Sequence, residues 1–170
     1  DALTKAVDGF APECVIHLAA EIASQRDAKK IKAANVDGTR DLIHACEVAG
    51  VKRFVFASTV VTGEAHGEVL TEDSKLPVET AYGHSKQEGE RMARESKLEE
   101  VIIRPSHVYG PGGWFEEEFV DRLRQPGRFA VIGSGKNWWD VVHVEDVATA
   151  FVLATEKAPA GSLYHVVDDE

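Results

Sequence analysis

In Arg53-Phe54-Val55-Phe56-Ala57-Ser58-Thr59, the four residues after Arg53 form an apolar run that does not alternate with polar ones. A strand with one wet face alternates, so a continuous run predicts a strand covered on both faces, as in a parallel sheet. It delivers two hydroxyls, Ser58 and Thr59, at its C-terminal end, the edge at which open parallel sheets bind ligands. The same form recurs upstream as Cys14-Val15-Ile16-His17-Leu18, ending in the small residues Ala19 and Ala20, which leave room for a group to approach the backbone. Downstream it recurs as Val101-Ile102-Ile103-Arg104, stopped by Pro105, and as Leu163-Tyr164-His165-Val166-Val167.

Helical patterns fill the intervals. A short helix is expected around Leu3 to Val7, broken by Pro12. Glu21 to Ala34 is polar and helix-forming. Asn35 to Thr39 opens or continues a helix striped by Val36, Leu42, Ile43 and Cys46 and ended by Gly50. Val60 to Glu79 reads as a loop or weak hairpin, long enough to be functional. A helix then runs from Tyr82 to about Ser96. Ser106 to Gly113 is a Gly/Pro loop, and Phe115, Phe119 and Leu123 form the buried stripe of the next helix, closed by Gln125-Pro126-Gly127. Phe129 to Ile132 and Val141 to Val144 read as short strands. Glu145 to Lys157 reads as a helix burying Val147, Phe151 and Ala154, with Asp146 in its first turn, where the helix dipole favours a carboxylate. Strands and helices alternating at these lengths predict an α/β fold with a mostly parallel sheet and right-handed crossovers.

The 170 residues, read as a single domain over 1–170, suffice to bury a core without disulfides or metal. A formal charge of -10 argues against nucleic acid and anionic membrane surfaces as partners, which need clustered Lys and Arg. Cys14 and Cys46 form no C-x-x-C and read as small buried hydrophobes of a reducing compartment. The apolar runs are too short to span a bilayer and no signal peptide is recognisable, so the expected location is the cytoplasm. The seven histidines form no H-x-H or H-x-x-x-H pair, which argues against a metal site. Gly133-Ser134-Gly135-Lys136 is followed by Asn137 where a phosphate loop needs Ser or Thr, and reads as a turn. Glu116-Glu117-Glu118 reads as the solvated face of its helix. Trp138 and Trp139 read as packing over the sheet edge or as lining a substrate pocket.

The chemistry centres on Tyr82-Gly83-His84-Ser85-Lys86. Four-residue spacing sets the Tyr82 phenol and Lys86 ammonium on one helix face, a turn apart. A nearby cation favours the phenolate, so the pair is a candidate acid/base for proton transfer at a sugar or alcohol oxygen. His84 lies between them in a solvated slot.

Six stretches then fall into one order: Val15-Ile16-His17-Leu18-Ala19-Ala20; Asn35-Val36-Asp37-Gly38-Thr39; Phe54-Val55-Phe56-Ala57-Ser58-Thr59; Tyr82-Gly83-His84-Ser85-Lys86; Ile103-Arg104-Pro105 with Val108-Tyr109-Gly110-Pro111-Gly112; and Val142-His143-Val144-Glu145-Asp146-Val147-Ala148. Together they resemble the extended short-chain dehydrogenase/reductases, the NAD-dependent epimerase/dehydratase family. The resemblance implies a Rossmann-like, doubly wound sheet and NAD or NADP as cofactor. It implies Tyr82 as general acid/base, Lys86 lowering its pKa and holding the nicotinamide ribose, and Thr59, rather than Ser58, orienting the substrate oxygen. It sets Ala19, Ala20, Ser58 and Pro105 beside the cofactor, and makes Asn35 a structural or catalytic helix residue. The expected substrate is a sugar or nucleotide sugar, oxidised, epimerised or dehydrated, and the expected assembly a homodimer through the two long helices.

The family's Gly-rich turn, G-x-x-G-x-x-G, does not occur in these residues, and little follows the last strand, so both ends read as cut and the fold as a truncated Rossmann-like domain. The strand from Cys14 to Leu18 then becomes an exposed apolar edge that invites pairing. A second reading is a fragment or degenerate paralogue that folds or self-associates without cofactor.

Overall fold

A computed structural model describes residues 2–63, 67–113, 115–127, 134–136 and 139–168. Four parallel strands, β1 (Cys14–His17), β2 (Arg53–Ala57), β3 (Glu99–Pro105) and β6 (Ser162–Val166), pair in the order β1-β2-β3-β6. A second, two-stranded parallel sheet pairs β4 (His107–Tyr109) with β5 (Val141–His143). The Gly/Pro loop expected at 106–113 thus contains a strand, built on the β-branched and aromatic Val108 and Tyr109. The strand expected at Phe129 to Ile132 lies outside the described residues.

Successive strand residues point to opposite faces, and each face meets its own helices. Phe54, Phe56 and Ile102 pack with Val7 of α1 (Ala2–Phe10), Ile43 and Cys46 of α3 (Gly38–Ala49), and Ala93 of α4 (Ala81–Glu95). Val55, Val101 and Ile103 pack with Val147, Phe151 and Ala154 of α6 (Val144–Glu156). Covering on both sides explains why β2 and β3 carry apolar residues without alternation. Each such side chain contributes about 1.5–3 kcal/mol when fully buried.

β1 departs from the expectation of burial on both faces. It is an edge strand, with Ile16 39% exposed and Leu18, just beyond its end, 60% exposed. The exposed apolar edge inferred for it is what the topology shows.

The opposite edge, β6, is guarded. The Glu72 carboxylate accepts the outward His165 N–H at 3.0 Å, where a neighbouring strand would otherwise bond. Glu72 lies in the long connection from Val60 to Glu79, which forms no hairpin among its described residues. Leu76 of the same connection is buried.

The helix expected from Glu21 divides. Residues 21–27 are irregular, Asp27 caps the short α2 (Ala28–Ile31), and a π-helical stretch (Lys32–Asp37) leads into α3. The Asp27 side chain accepts the Lys29 N–H, and this capping bond favours a start at residue 28 rather than 21. In the segment after β4, a π-helical turn (Phe115–Val120) precedes α5 (Asp121–Arg124). Phe115 and Phe119 stack at 5.7 Å, but Leu123 is 61% exposed, so the expected stripe stops a turn early. Glu117 is exposed as expected, whereas Glu116 is half-buried and accepts the Gly112 N–H at 2.7 Å.

Candidate active site

Helix α4 starts where Thr80 accepts the Gly83 N–H at 2.9 Å. Its first turn lies hard against Thr62: a Cβ added at Gly83 would sit 2.3 Å from the Thr62 carbonyl oxygen. Further along, a Cβ at Gly89 would sit 2.3 Å from the Phe56 ring. Two glycines therefore let α4 settle onto the sheet, carrying Tyr82 and Lys86 to the C-terminal end of β2.

Tyr82 and Lys86 meet as their spacing predicts. Lys86 is 5% exposed, and its Nζ lies 5.7 Å from the centre of the Tyr82 ring and 5.4 Å from that of Phe56. Nζ donates to the Ala57 carbonyl at 2.8 Å, its one hydrogen-bond acceptor among the described residues. Burial pushes the Lys86 pKa down to about 8 and pushes the Tyr82 phenol up. The direction for Tyr82 is opposite to the expected lowering by Lys86, because desolvation of the half-buried ring is the dominant influence on it.

The two hydroxyls after β2 are held differently. Ser58 donates to Glu90 at 2.5 Å, and Glu90 forms a buried bidentate pair with Arg104, Nε to Oε1 and Nη2 to Oε2, both at 2.7 Å. Arg104 Nη1 also lies 3.4 Å from His165 Nε2. Thr59 donates only a long bond, 3.3 Å, to the Pro105 carbonyl and accepts the Val61 N–H at 3.0 Å. The Ser58 proton is committed to a carboxylate; the Thr59 proton is loosely placed.

Asn35 sits in the π-helical stretch, a feature that recurs at functional sites. It is buried, donates to the Glu21 carbonyl and to Ser85 Oγ, both at 2.9 Å, and accepts the Glu21 N–H at 2.7 Å. Ser85 in turn donates to the Tyr82 carbonyl at 2.7 Å. Asn35 thus ties the loop after β1 to the helix that carries Tyr82.

A cleft of about 510 Å³ is lined by Ser58, Thr59, Tyr82, Pro105, Ser106 and Trp139, while Lys86 and Asn35 stand behind its wall and do not line it. Its remaining wall comes from Ile22, Ala23 and Ser24 after β1, Val61 after β2, and His107 and Val108 after β3. Ala19 and Ala20 lie in the same loop as Ile22 but do not line the cleft; Ala19 is exposed and Ala20 half-buried. Trp139 both lines the cleft and packs, edge-on to His107 at 5.1 Å, while Trp138 lies outside the described residues. His84 is exposed.

Glu90, Arg104 and Ser106 are the residues that sequence reasoning passed over. Glu90 continues the face of Tyr82 and Lys86 by one further turn, a carboxylate on the buried side of an amphipathic helix. That signal could have found it.

The 3beta-hydroxysteroid-dehydrogenase/decarboxylase isoform 1 of Arabidopsis thaliana is 34% identical over 170 residues, covering 93% of this chain and 38% of that protein. The UDP-glucose 4-epimerase of Vibrio cholerae is 32% identical, covering 91% of this chain and 51% of that protein. Among solved structures, the dTDP-glucose 4,6-dehydratase of Streptomyces venezuelae, crystallised with NAD, superposes with a TM-score of 0.86 at 30% identity, covering 97% of this chain and 54% of that one. The chain spans about half the length of these relatives or less. The family model for the NAD dependent epimerase/dehydratase family matches residues 1–167, and with the Rossmann-like sheet and the Tyr82 and Lys86 pair in place, the chain belongs to that family.

Proposed function

We propose that this chain carries the proton-transfer machinery of an NAD-dependent oxidoreductase, epimerase or dehydratase acting on a ring hydroxyl or carbonyl of a sugar or nucleotide sugar. The observation that carries this reading is the buried Lys86 ammonium, with three donors and one acceptor among the described residues, beside the phenol that lines the cleft. Two unspent donors there fit the hydroxyls of a ribose, so Lys86 holds the nicotinamide ribose, with Pro105 and the cleft wall beside it. NAD, when bound, supplies acceptance and return of a hydride.

Tyr82 supplies the proton chemistry. In oxidation the Tyr82 phenolate, favoured by the Lys86 charge beside it, takes the proton of the substrate hydroxyl and becomes the phenol, and in reduction the phenol gives that proton back to the substrate oxygen. Thr59 orients the substrate oxygen, because its hydroxyl is loosely held while that of Ser58 is bound to Glu90. A homodimer through α3 and α4 belongs to the same proposal and is tested by sedimentation.

A second reading keeps the chemistry and changes the substrate to an alicyclic alcohol of the hydroxysteroid kind. The apolar wall of Ile22, Ala23, Val61, Val108 and Trp139 favours it, as does the Arabidopsis relative. The test is incubation of the protein and its Tyr82→Phe variant with NAD and UDP-glucose, dTDP-glucose or a 3β-hydroxysteroid, with products separated by chromatography. Turnover by the wild type, reduced about 10²–10⁴-fold in Tyr82→Phe, supports the proposal; equal turnover by the two overturns it.

A further inference from the structure

Ser106 is 5% exposed, and its Oγ is the one buried side-chain polar atom without a hydrogen-bond partner among the described residues. Its backbone N–H is already spent, donating to the Val166 carbonyl at 3.0 Å. A buried hydroxyl left without a partner is unfavourable, and native structures seldom keep one without a reason. Ser106 directly follows Pro105, whose carbonyl receives the Thr59 hydroxyl. It lines the cleft shared with Thr59 and Tyr82, and it also lines a second cavity of about 530 Å³ bounded by Val60, Leu70, Asp140, His165 and Val166. Ser106 therefore stands in the wall common to both spaces, with its hydroxyl oxygen turned away from solvent.

We propose that Ser106 is a specificity-determining residue that hydrogen-bonds a second oxygen on the substrate ring, away from the oxygen that Tyr82 and Thr59 handle. This rests on the reading of the cleft as the reaction site and deepens it by naming the substrate class. A ring bearing several hydroxyls, as in a sugar, satisfies Ser106 while it presents one hydroxyl to Tyr82. A singly hydroxylated alicycle leaves Ser106 unpaired against an apolar surface. The two substrate readings are thus separated by a residue outside the Tyr82, Lys86 and Thr59 set, and the second cavity gives the polar side of the ring room to extend.

The inference predicts an unusual pairing of effects. Loss of an internally bonded hydroxyl lowers stability, whereas loss of one that waits for a ligand leaves stability unchanged or raised and weakens only binding. The experiment compares wild type, Ser106→Ala and Ser106→Thr in three measurements: melting temperature, NADH affinity by nicotinamide fluorescence, and kcat and KM for UDP-glucose and for a 3β-hydroxysteroid. In Ser106→Ala the expected melting temperature is no lower than wild type and NADH affinity lies within about twofold. Its kcat/KM for UDP-glucose falls about tenfold to a hundredfold, mainly through KM, and Ser106→Thr, which keeps the hydroxyl, restores most of it.

Unchanged UDP-glucose kinetics in Ser106→Ala overturn the inference, as does a lowered melting temperature, which reveals an internal partner. A loss that falls on NADH affinity instead assigns the hydroxyl to the nicotinamide carboxamide and likewise overturns it. A wild type that oxidises the hydroxysteroid and not UDP-glucose overturns the inference while the Tyr82 chemistry stands. A wild type that binds NADH and turns over neither probe overturns both.

Discussion

Lys86 Nζ lies 5.7 Å from the centre of the Tyr82 ring, and the carbonyl that receives its proton belongs to Ala57, the last residue of β2. Helix and sheet are thus joined through the ammonium beside Tyr82, which lines the cleft. Removing the charge while keeping the stem separates its two roles. Lys86→Met is expected to fold at least as stably at pH 7, because the buried ammonium is disfavoured by its surroundings. It is expected to weaken NADH binding about tenfold or more, at the 1.4 kcal/mol per decade that one charged hydrogen bond can supply. Calorimetric melting and a nicotinamide fluorescence titration on the same sample check both halves.

Protonation of Lys86 also gives stability a basic limb. In the unfolded chain a lysine keeps its proton to about pH 10.4, whereas in the folded protein Lys86 releases it near 8. Between these values the unfolded state binds the extra proton, so stability rises with pH across that window, by up to about 3 kcal/mol. Urea unfolding at pH 7.5 and 9.5 should show a gain in the wild type that is smaller in Lys86→Met.

His17 gives the corresponding acid limb. Its ring lies against Phe54 and Phe56, with centroids 5.9 and 5.8 Å away, and Nε2 is 2.9 Å from Thr39 Oγ1. Thr39 donates its own proton to the Asn35 carbonyl at 2.6 Å, so the histidine must be the donor at Nε2. Burial, reinforced by the Lys86 charge, holds the His17 pKa down to about 4. Unfolding lets it return to about 6.5. Stability is therefore fully present above pH 6.5 and lost as pH falls towards 4, by up to about 3 kcal/mol. Urea midpoints measured from pH 7 to 4.5 should fall more steeply for wild type than for His17→Gln; parallel curves would contradict the assignment.

The Glu90 and Arg104 pair holds Ser58 from below and is nearly closed to water, with side chains 7% and 8% exposed. Breaking one partner strands the other, and Glu90→Gln is expected to destabilise the fold by about 3–5 kcal/mol. The double change Glu90→Leu with Arg104→Leu is expected to recover much of that loss, since no buried charge remains. Denaturant unfolding of the single and double variants checks it.

Gly83→Ala probes how closely α4 must approach the loop. The new Cβ meets the backbone of Thr62, which has no side-chain torsion to relieve it. Destabilisation of about 1–3 kcal/mol is expected, together with weaker NADH binding because Tyr82 is the neighbouring residue. An alanine variant with wild-type melting temperature would show that the helix can shift.

Much of this was legible in the chain. The strands at residues 53–57 and 101–104 were marked by their apolar runs, whereas the run at residues 14–18, read as buried on both faces, lies at the sheet edge, and the Tyr82 to Lys86 spacing foretold that the two side chains would meet. The π-helical stretch at Lys32–Asp37 was not legible, because its reason is tertiary: Asn35 must reach both Glu21 and Ser85. Strand β4 was hidden by the prolines and glycines around His107–Tyr109, since its pairing with β5 lies far along the chain. The direction of the Tyr82 pKa depended on burial, which a spacing argument does not contain. Ser106 had no signal of its own, as a serine after a proline is ordinary until its surroundings are known.

The most direct test of the central claim, that the Tyr82 and Lys86 pair serves a nicotinamide cofactor, is titration of the protein with NADH, followed by nicotinamide fluorescence, with Lys86→Met alongside. The account predicts binding tighter than about 0.1 mM, roughly -5.5 kcal/mol, weakened about tenfold or more in the variant. No binding at millimolar NADH, or equal binding by both proteins, would contradict it and leave these residues as a folded remnant of the family's site.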